Sequence, residues 1–254
     1  MSVLTWDDAG KHFFENGVDQ GVLYAYNAAT TEAATPTTKS NVATYMGGNH
    51  KYTGGVAWNG LTAFNESPDG GDANDIYADN IKYLSLRGTE NFKFSIEAYT
   101  YPDEFAQYNG EKRGGPSNAI VVTGQGRNTF GFACRTKIGN DETADYGYKI
   151  HLIYGVTCSP SDRSYETIND SPDAINFSWD CETIPVEVGT LGSTPCKPTA
   201  HVIITVKAGQ TTVGNQNYDA GLAQLEKAVF GDTSTPAFLP LPKDVYAILG
   251  IDYT

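Results

Sequence analysis

Residues able to carry acid–base, metal or nucleophilic chemistry are few in this chain and widely separated. The four cysteines, Cys134, Cys158, Cys181 and Cys196, contain no C-x-x-C pair, and the four histidines, His12, His50, His151 and His201, stand far apart. That spacing is not a zinc framework, and no metal or cofactor is expected. With no secretory signal in view, Cys134 and Cys158 are expected as reduced thiols, unreactive where their strands are buried. His151 lies between Ile150 and Leu152. A hydrogen-bonded sheet histidine fits that setting better than a general base, because no acid lies at recognisable spacing. Gly124-Gln-Gly126 lacks the third glycine of a dinucleotide loop and leads into strand-like residues rather than a helix. No phosphate loop and no G-x-S-x-G elbow occurs. No catalytic residue is assigned, and the chain reads as a non-enzyme.

One cluster of like charge stands out. Glu66, Asp69, Asp72, Asp75 and Asp79 fall within one stretch that holds no Lys or Arg. A calcium loop needs glycine at its sixth position, which here would be Asn74 or Tyr77 depending on the start. Pro68, Gly70 and Gly71 exclude a helix face. A solvated acidic loop is the expectation. Asp141 and Asp145 flank a turn, where aspartate is favoured for local hydrogen bonds. Trp6, Trp58 and Trp179 could line a sugar-binding face, but core packing is the commoner use.

The elements that would position these groups are mostly strands. Phe92, Phe94, Ile96 and Ala98 alternate with polar residues over Asn91–Tyr99. The same period runs through Phe130–Cys134, Ile150–Tyr154 and Ile175–Trp179, and His201–Lys207 is a β-branched run. Val56–Phe64 and Ile76–Leu86 read as two further strands. A helix is expected over Ala220–Phe230, capped by Asp219 and ended by Gly231, with Leu222, Leu225, Val229 and Phe230 on one face. A short helix follows at Lys243–Leu249, and Asp103–Tyr108 reads as one helical turn. With no helix between strands, the pattern predicts a mainly β fold: an antiparallel β-sandwich or barrel with a flanking C-terminal α-helix, an extended N-terminal arm and long loops. The Gly-, Thr- and Ala-rich residues 1–55 form the arm and loop region, and residues 56–254 form the β domain.

Apolar residues make up 40% of the chain and aromatics 12%, enough for a sizeable core. The net charge of −13 and pI near 4.6 argue against a surface that grips nucleic acid, which needs clustered cations. No apolar run is long enough to span a membrane. The first residues lack the basic-then-apolar order of a signal peptide, so a soluble protein made in a cytoplasm is expected.

Several segments, in order, carry a family resemblance: YADNIKY (Tyr77–Tyr83), EAYTYPDEF (Glu97–Phe105), FACRTKIGND (Phe132–Asp141), GYKIHLIYG (Gly147–Gly155), TINDSPDAINFSW (Thr167–Trp179), KPT (Lys197–Thr199) and LPLP (Leu239–Pro242). Over about residues 56–250 the chain resembles the major tail tube proteins of long-tailed bacteriophages, of the type found in siphophages of Gram-positive hosts. Glu111–Asn118 and Thr183–Pro195 depart from it. The resemblance implies an antiparallel β-sandwich with a flanking helix that self-assembles into hexameric rings stacked as a tube. It also implies the tape measure protein inside the lumen, distal tail and tail terminator proteins at the ends, and DNA passing through without tight binding. The setting it implies is the virion tail, with the host cytoplasm during assembly and no membrane partner. An acidic wall suits such a conduit, because cations there would hold the polyanion. On this reading Ile76–Leu86 and Asn91–Tyr99 pair as a lumen-lining hairpin around Arg87–Glu90. Glu66, Asp69, Asp72, Asp75 and Asp79 then face the lumen or the next ring. Competing readings are a carbohydrate-binding or adhesin β-sandwich, another β-sandwich virion component such as a tail terminator, and a hydrolase using paired carboxylates.

Overall fold

Strands whose apolar residues alternate bury one face, while the long central strands Phe130–Asn140 and Gly147–Cys158 carry apolar runs and bury both over much of their length. The computed structural model describes residues 6, 9–38, 41–70, 73–87, 90–165, 167, 174–191, 194–207, 212–213 and 216–250. In chain order the elements are β1 (Phe13–Tyr26), α1 (Val42–Met46), β2 (Tyr52–Trp58), β3 (Leu61–Glu66), β4 (Asp69–Gly70), β5 (Ala73–Ala78), β6 (Ile81–Arg87), β7 (Glu90–Asn91), β8 (Lys93–Ala98), β9 (Lys112–Gly114), β10 (Ile120–Val122), β11 (Phe130–Asn140), β12 (Gly147–Cys158), β13 (Phe177–Thr183), β14 (Thr190–Leu191), β15 (Thr194–Pro195), β16 (His201–Lys207), β17 (Thr212–Val213), β18 (Gln216–Asn217), α2 (Tyr218–Phe230) and α3 (Pro242–Ile248). A 3₁₀ turn occupies Asp103–Gln107. The fold is mainly β and antiparallel, with helices flanking it towards the C-terminus.

The main sheet runs β2-β1-β11-β12-β13-β8-β3, with β16 also paired to β12. β11 takes one edge of β12, while β16 takes the first half of the other edge and β13 the last three residues. Gly155 makes the change of neighbour possible. Its φ is +61°, and a Cβ there would come within 2.5 Å of the Ile184 carbonyl oxygen. The two edge strands, β2 and β3, are joined by Asn59 and Gly60 alone. So short a link between opposite edges requires the sheet to curl until they meet, and β3 packs against β1 accordingly.

Curling separates two cores. Inside lie Trp58, Phe94, Phe105, Phe130, Phe132, Ile153 and Trp179. Trp58 and Trp179 meet edge-on at 5.5 Å between ring centres, and Phe105 packs on both. Their indole N–H groups donate to Thr100 O and Asn109 Oδ1, so neither ring leaves a buried donor unpaired. On the outer face Tyr24, Leu152 and Tyr154 meet Leu222, Leu225 and Val229 of α2 and Val245 and Ile248 of α3. The apolar stripe expected for the long helix is thus the face it buries, and Gly231, at φ +72°, ends it. Asp219, expected as the cap, falls inside α2, and its side chain lies outside the described residues.

Several expectations are corrected. Residues 13–26, read as part of an arm, form the longest strand of the sheet, held between β2 and β11. Bulges at Asn16/Val18 and Asp19/Val22 interrupt β1 and break the period of two that would reveal it in the sequence. Val56–Phe64 is two strands, divided at Asn59-Gly60, a turn-favouring pair. Ile76–Leu86 is likewise two strands, β5 and β6, turning at Asp79 and Asn80, both of positive φ. Cys158 is no free thiol: it sits opposite Cys181 in the β12–β13 register and forms a disulfide with it. Cys134 is free and fully buried, and burial pushes its thiol pKa up, which keeps it protonated and inert.

Candidate functional site

The paired lumen-lining hairpin expected from Ile76–Leu86 and Asn91–Tyr99 does not form. β8 pairs instead with β3 and β13, and β6 pairs with β5. The register explains what forms in its place. Glu66 faces Phe94 in β3–β8, Asp69 faces Asn91 in β4–β7, and Asn74 faces Leu86 in β5–β6. These described pairs all keep one offset, so the β4–β7 and β5–β6 ladders share the register of the core β3–β8 pair, and the outermost ends at the turn at Asp79-Asn80.

The outer β5–β6 part of this arm is apolar. Ile76, Tyr77, Ile81, Tyr83, Leu84 and Leu86 are all exposed, Tyr77 and Tyr83 by more than two thirds. Ile76 and Leu84 face each other, with Leu86 two residues along on the same side. A second small sheet, β9–β10, exposes Ile120, Val121 and Val122.

Two of the acidic residues along the arm, Asp69 and Asp75, are paired with lysines. Asp69 is 3.2 Å from Lys93 Nζ, and Asp75 is 2.7 Å from Lys82 Nζ. Both lysines come from the returning strand. Hydrogen bonds from Lys82 and Ser85 hold the Asp75 carboxyl below the usual range. Asp79 occupies the turn, and Asp72 lies outside the described residues. Glu66, at the arm's root, stands apart from the other four.

Glu66 meets two histidines that the sequence places far from it. His151 on β12 and His201 on β16 lie on neighbouring antiparallel strands, opposite Ile203 and Ile153, so their side chains share one face. His151 Nδ1 is 3.0 Å from His201 Nε2 and 3.4 Å from Glu66 Oε1, while His151 Nε2 is 2.9 Å from Thr136 Oγ1. Phe92 stacks on His201 at 4.2 Å, and Phe64 lies 5.4 Å from His151. Burial, reinforced by Lys149 nearby, lowers the His151 pKa to about 4. Burial and the neighbouring His151 lower His201 to about 3. Both imidazoles are therefore neutral at pH 7. Burial raises the Glu66 pKa, with Lys149 acting against it and Glu15 with it. A cavity of about 400 Å³ opens beside them, lined by Glu15, Thr62, Glu66, Thr136 and His151 among others.

The expected hydrogen-bonded sheet histidine is thus present at His151, but with a carboxylate and a second imidazole beside it. Sequence spacing did not bring His201 or Glu66 to His151, because both reach it only through strand pairing and curling. Asp141 behaves as a turn aspartate does, accepting N–H bonds from Gly10 and His12. Trp58 and Trp179 are core residues, and only Trp6 of the three is exposed. Part of the TINDSPDAINFSW segment, residues 168–173, lies outside the described residues. No helix among the described residues is long and apolar enough to cross a membrane.

No family model and no curated protein matches the chain. Among solved structures it is similar to a chain in the six-fold symmetrised cryo-EM structure of the anti-feeding prophage (AFP) baseplate. The TM-score is 0.28 and the identity 7%, over 79% of this chain and 97% of that one. A TM-score that low carries no argument about function.

Proposed function

We propose that this protein is a structural virion subunit, a major tail tube protein that polymerises as stacked hexameric rings. One observation carries the reading: the β5–β6 arm presents apolar side chains that stay exposed among the described residues of the chain. A two-stranded hairpin in water is marginal by itself, and an apolar projection of this kind marks a surface made for a partner. Among the described residues β5 and β6 pair only with each other, so a neighbouring subunit can extend the sheet across the interface. An identical subunit fits, because heterologous contacts that close give rings, and a projection reaching beyond the body can meet the ring above. The ordered segment resemblance supplies the number six and the tail setting. In that setting the tape measure protein, the distal tail and tail terminator proteins and transiting DNA are the partners. The net charge of −13 suits a bore through which DNA slides. The carbohydrate-binding reading loses two of its three indoles to the core.

Negative-stain microscopy of concentrated protein tests this directly. Hollow six-fold rings or tubes are expected. Single particles of monomer size at every concentration tried would count against self-assembly.

A further inference from the structure

We propose that Glu66, His151 and His201 form a zinc-binding site that ties the root of the β-arm to the main sheet. The site concerns the folded single chain and does not depend on the tube reading. Its three donor atoms, Glu66 Oε1, His151 Nδ1 and His201 Nε2, all lie within 4.8 Å of one another. Two of the three separations are 3.0 and 3.4 Å. Ligands around a tetrahedral zinc at 2.0–2.1 Å stand about 3.3 Å apart, so these two already suit the ion, and the third lies within 4.8 Å. Among the described residues this is the one group of three such side chains that converges in this way.

The surroundings favour a metal over a bare histidine pair. Two imidazole nitrogens pointing at each other share at most one proton between them, whereas a cation uses both lone pairs. Neutral imidazole is the ligating form, and burial keeps both rings neutral. Thr136 Oγ1 can accept from His151 Nε2–H, which directs the Nδ1 lone pair at the ion, as outer-shell partners of ligating histidines do. Phe92 stacked on His201 and Phe64 beside His151 fix both rings, so little ordering remains to be done on binding. The adjoining cavity gives a route in and room for a water as fourth ligand. Two nitrogens and one carboxylate oxygen suit zinc better than calcium or magnesium, which prefer all-oxygen shells.

The ligands identify the role. Glu66 is the last residue of β3 before the arm departs, while His151 and His201 belong to β12 and β16, which β3 does not pair with. An ion held by all three makes a link across the curled sheet that no backbone hydrogen bond supplies. That link would fix the direction in which the arm leaves the body.

The test uses tag-free, full-length protein stripped with EDTA and titrated with zinc chloride by calorimetry, alongside thermal melts and cobalt spectra. One equivalent of zinc at micromolar affinity or better is expected, with a rise in melting temperature. Cobalt should give the visible bands of a tetrahedral centre. Glu66→Gln and His201→Asn should each weaken zinc binding at least tenfold and abolish the zinc-dependent rise in melting temperature. Glu66→Gln lies at a half-exposed position, so it also covers the case in which His201→Asn fails to fold. Less than one equivalent bound, or binding unchanged in Glu66→Gln, overturns the assignment and leaves a hydrogen-bonded histidine pair.

Discussion

Replacing Tyr77, Tyr83 and Leu86 with serine strips the β-arm of three exposed apolar side chains while touching neither core. Their exposures are 67%, 69% and 53%, roughly two whole side chains of uncovered surface. Full burial of one large apolar side chain is worth about 1.5–3 kcal/mol, so covering these three supplies about 3–6 kcal/mol per arm. At about 1.4 kcal/mol per decade, that is a loss of roughly 10²–10⁴ in association constant for each contact broken. The monomer should hardly notice, since surface changes away from packed features stay within about 0.5 kcal/mol. Sedimentation velocity over a concentration series, with electron micrographs of the same samples, reads both effects. The expected result is rings or tubes from the parent and monomers from the triple variant under the same conditions, with equal urea midpoints. Assembly of the variant at the parent's concentration refutes the arm as the interface. A variant that unfolds in less urea refutes the claim that the arm is spare to the fold.

Two further outcomes follow from the body of the protein. The Cys158–Cys181 disulfide closes a loop with a sequence separation of 23, which corresponds to about 3 kcal/mol on the chain-entropy account. A Cys158→Ala, Cys181→Ala double variant should melt several degrees lower, and a reductant should lower the parent's melting point but not the variant's. Zinc-free protein should lose stability as pH falls from about 6.5 towards 4. In that window the unfolded imidazoles of His151 and His201 bind protons while the folded ones, at about 4 and about 3, resist them. The unfolded state then holds more protons, with a slope approaching 1.4 kcal/mol per pH unit for each ring. Glu66 acts in the opposite sense, because its raised pKa favours the folded state as it protonates. Urea melts at several pH values should show a shallower decline in His201→Asn, and an identical decline would contradict the buried, neutral pair.

Period-two alternation was enough to locate β8, β11, β12 and β13, and a β-branched run located β16. β11 and β12 are buried on both faces over Phe130–Cys134 and Ile150–Val156, while in β8 and β13 the buried face differs sharply in polarity from the one facing away. The helix at Tyr218–Phe230 was legible for the same reason at a period of 3.6. Alternation could not reveal β1, whose bulges reset the period, or separate β5 from β6, where both faces carry apolar residues. The turn between them had a local signal after all: adjacent Asp79 and Asn80, the residue types that best tolerate positive φ after glycine. The disulfide needed the β12–β13 register, which no spacing between Cys158 and Cys181 encodes.

Composition and local pattern thus settled the class of the fold, the strands with one buried face, the flanking helix and the acidic character. Each of these depends on a residue and its near neighbours along the chain. Tertiary structure alone decided that the β5–β6 arm shares the register of the core β3–β8 pair, and that Glu66, His151 and His201 meet at its root. Those depend on which strands pair and how far the sheet curls, and pairing is a choice among distant segments that short-range chemistry leaves open.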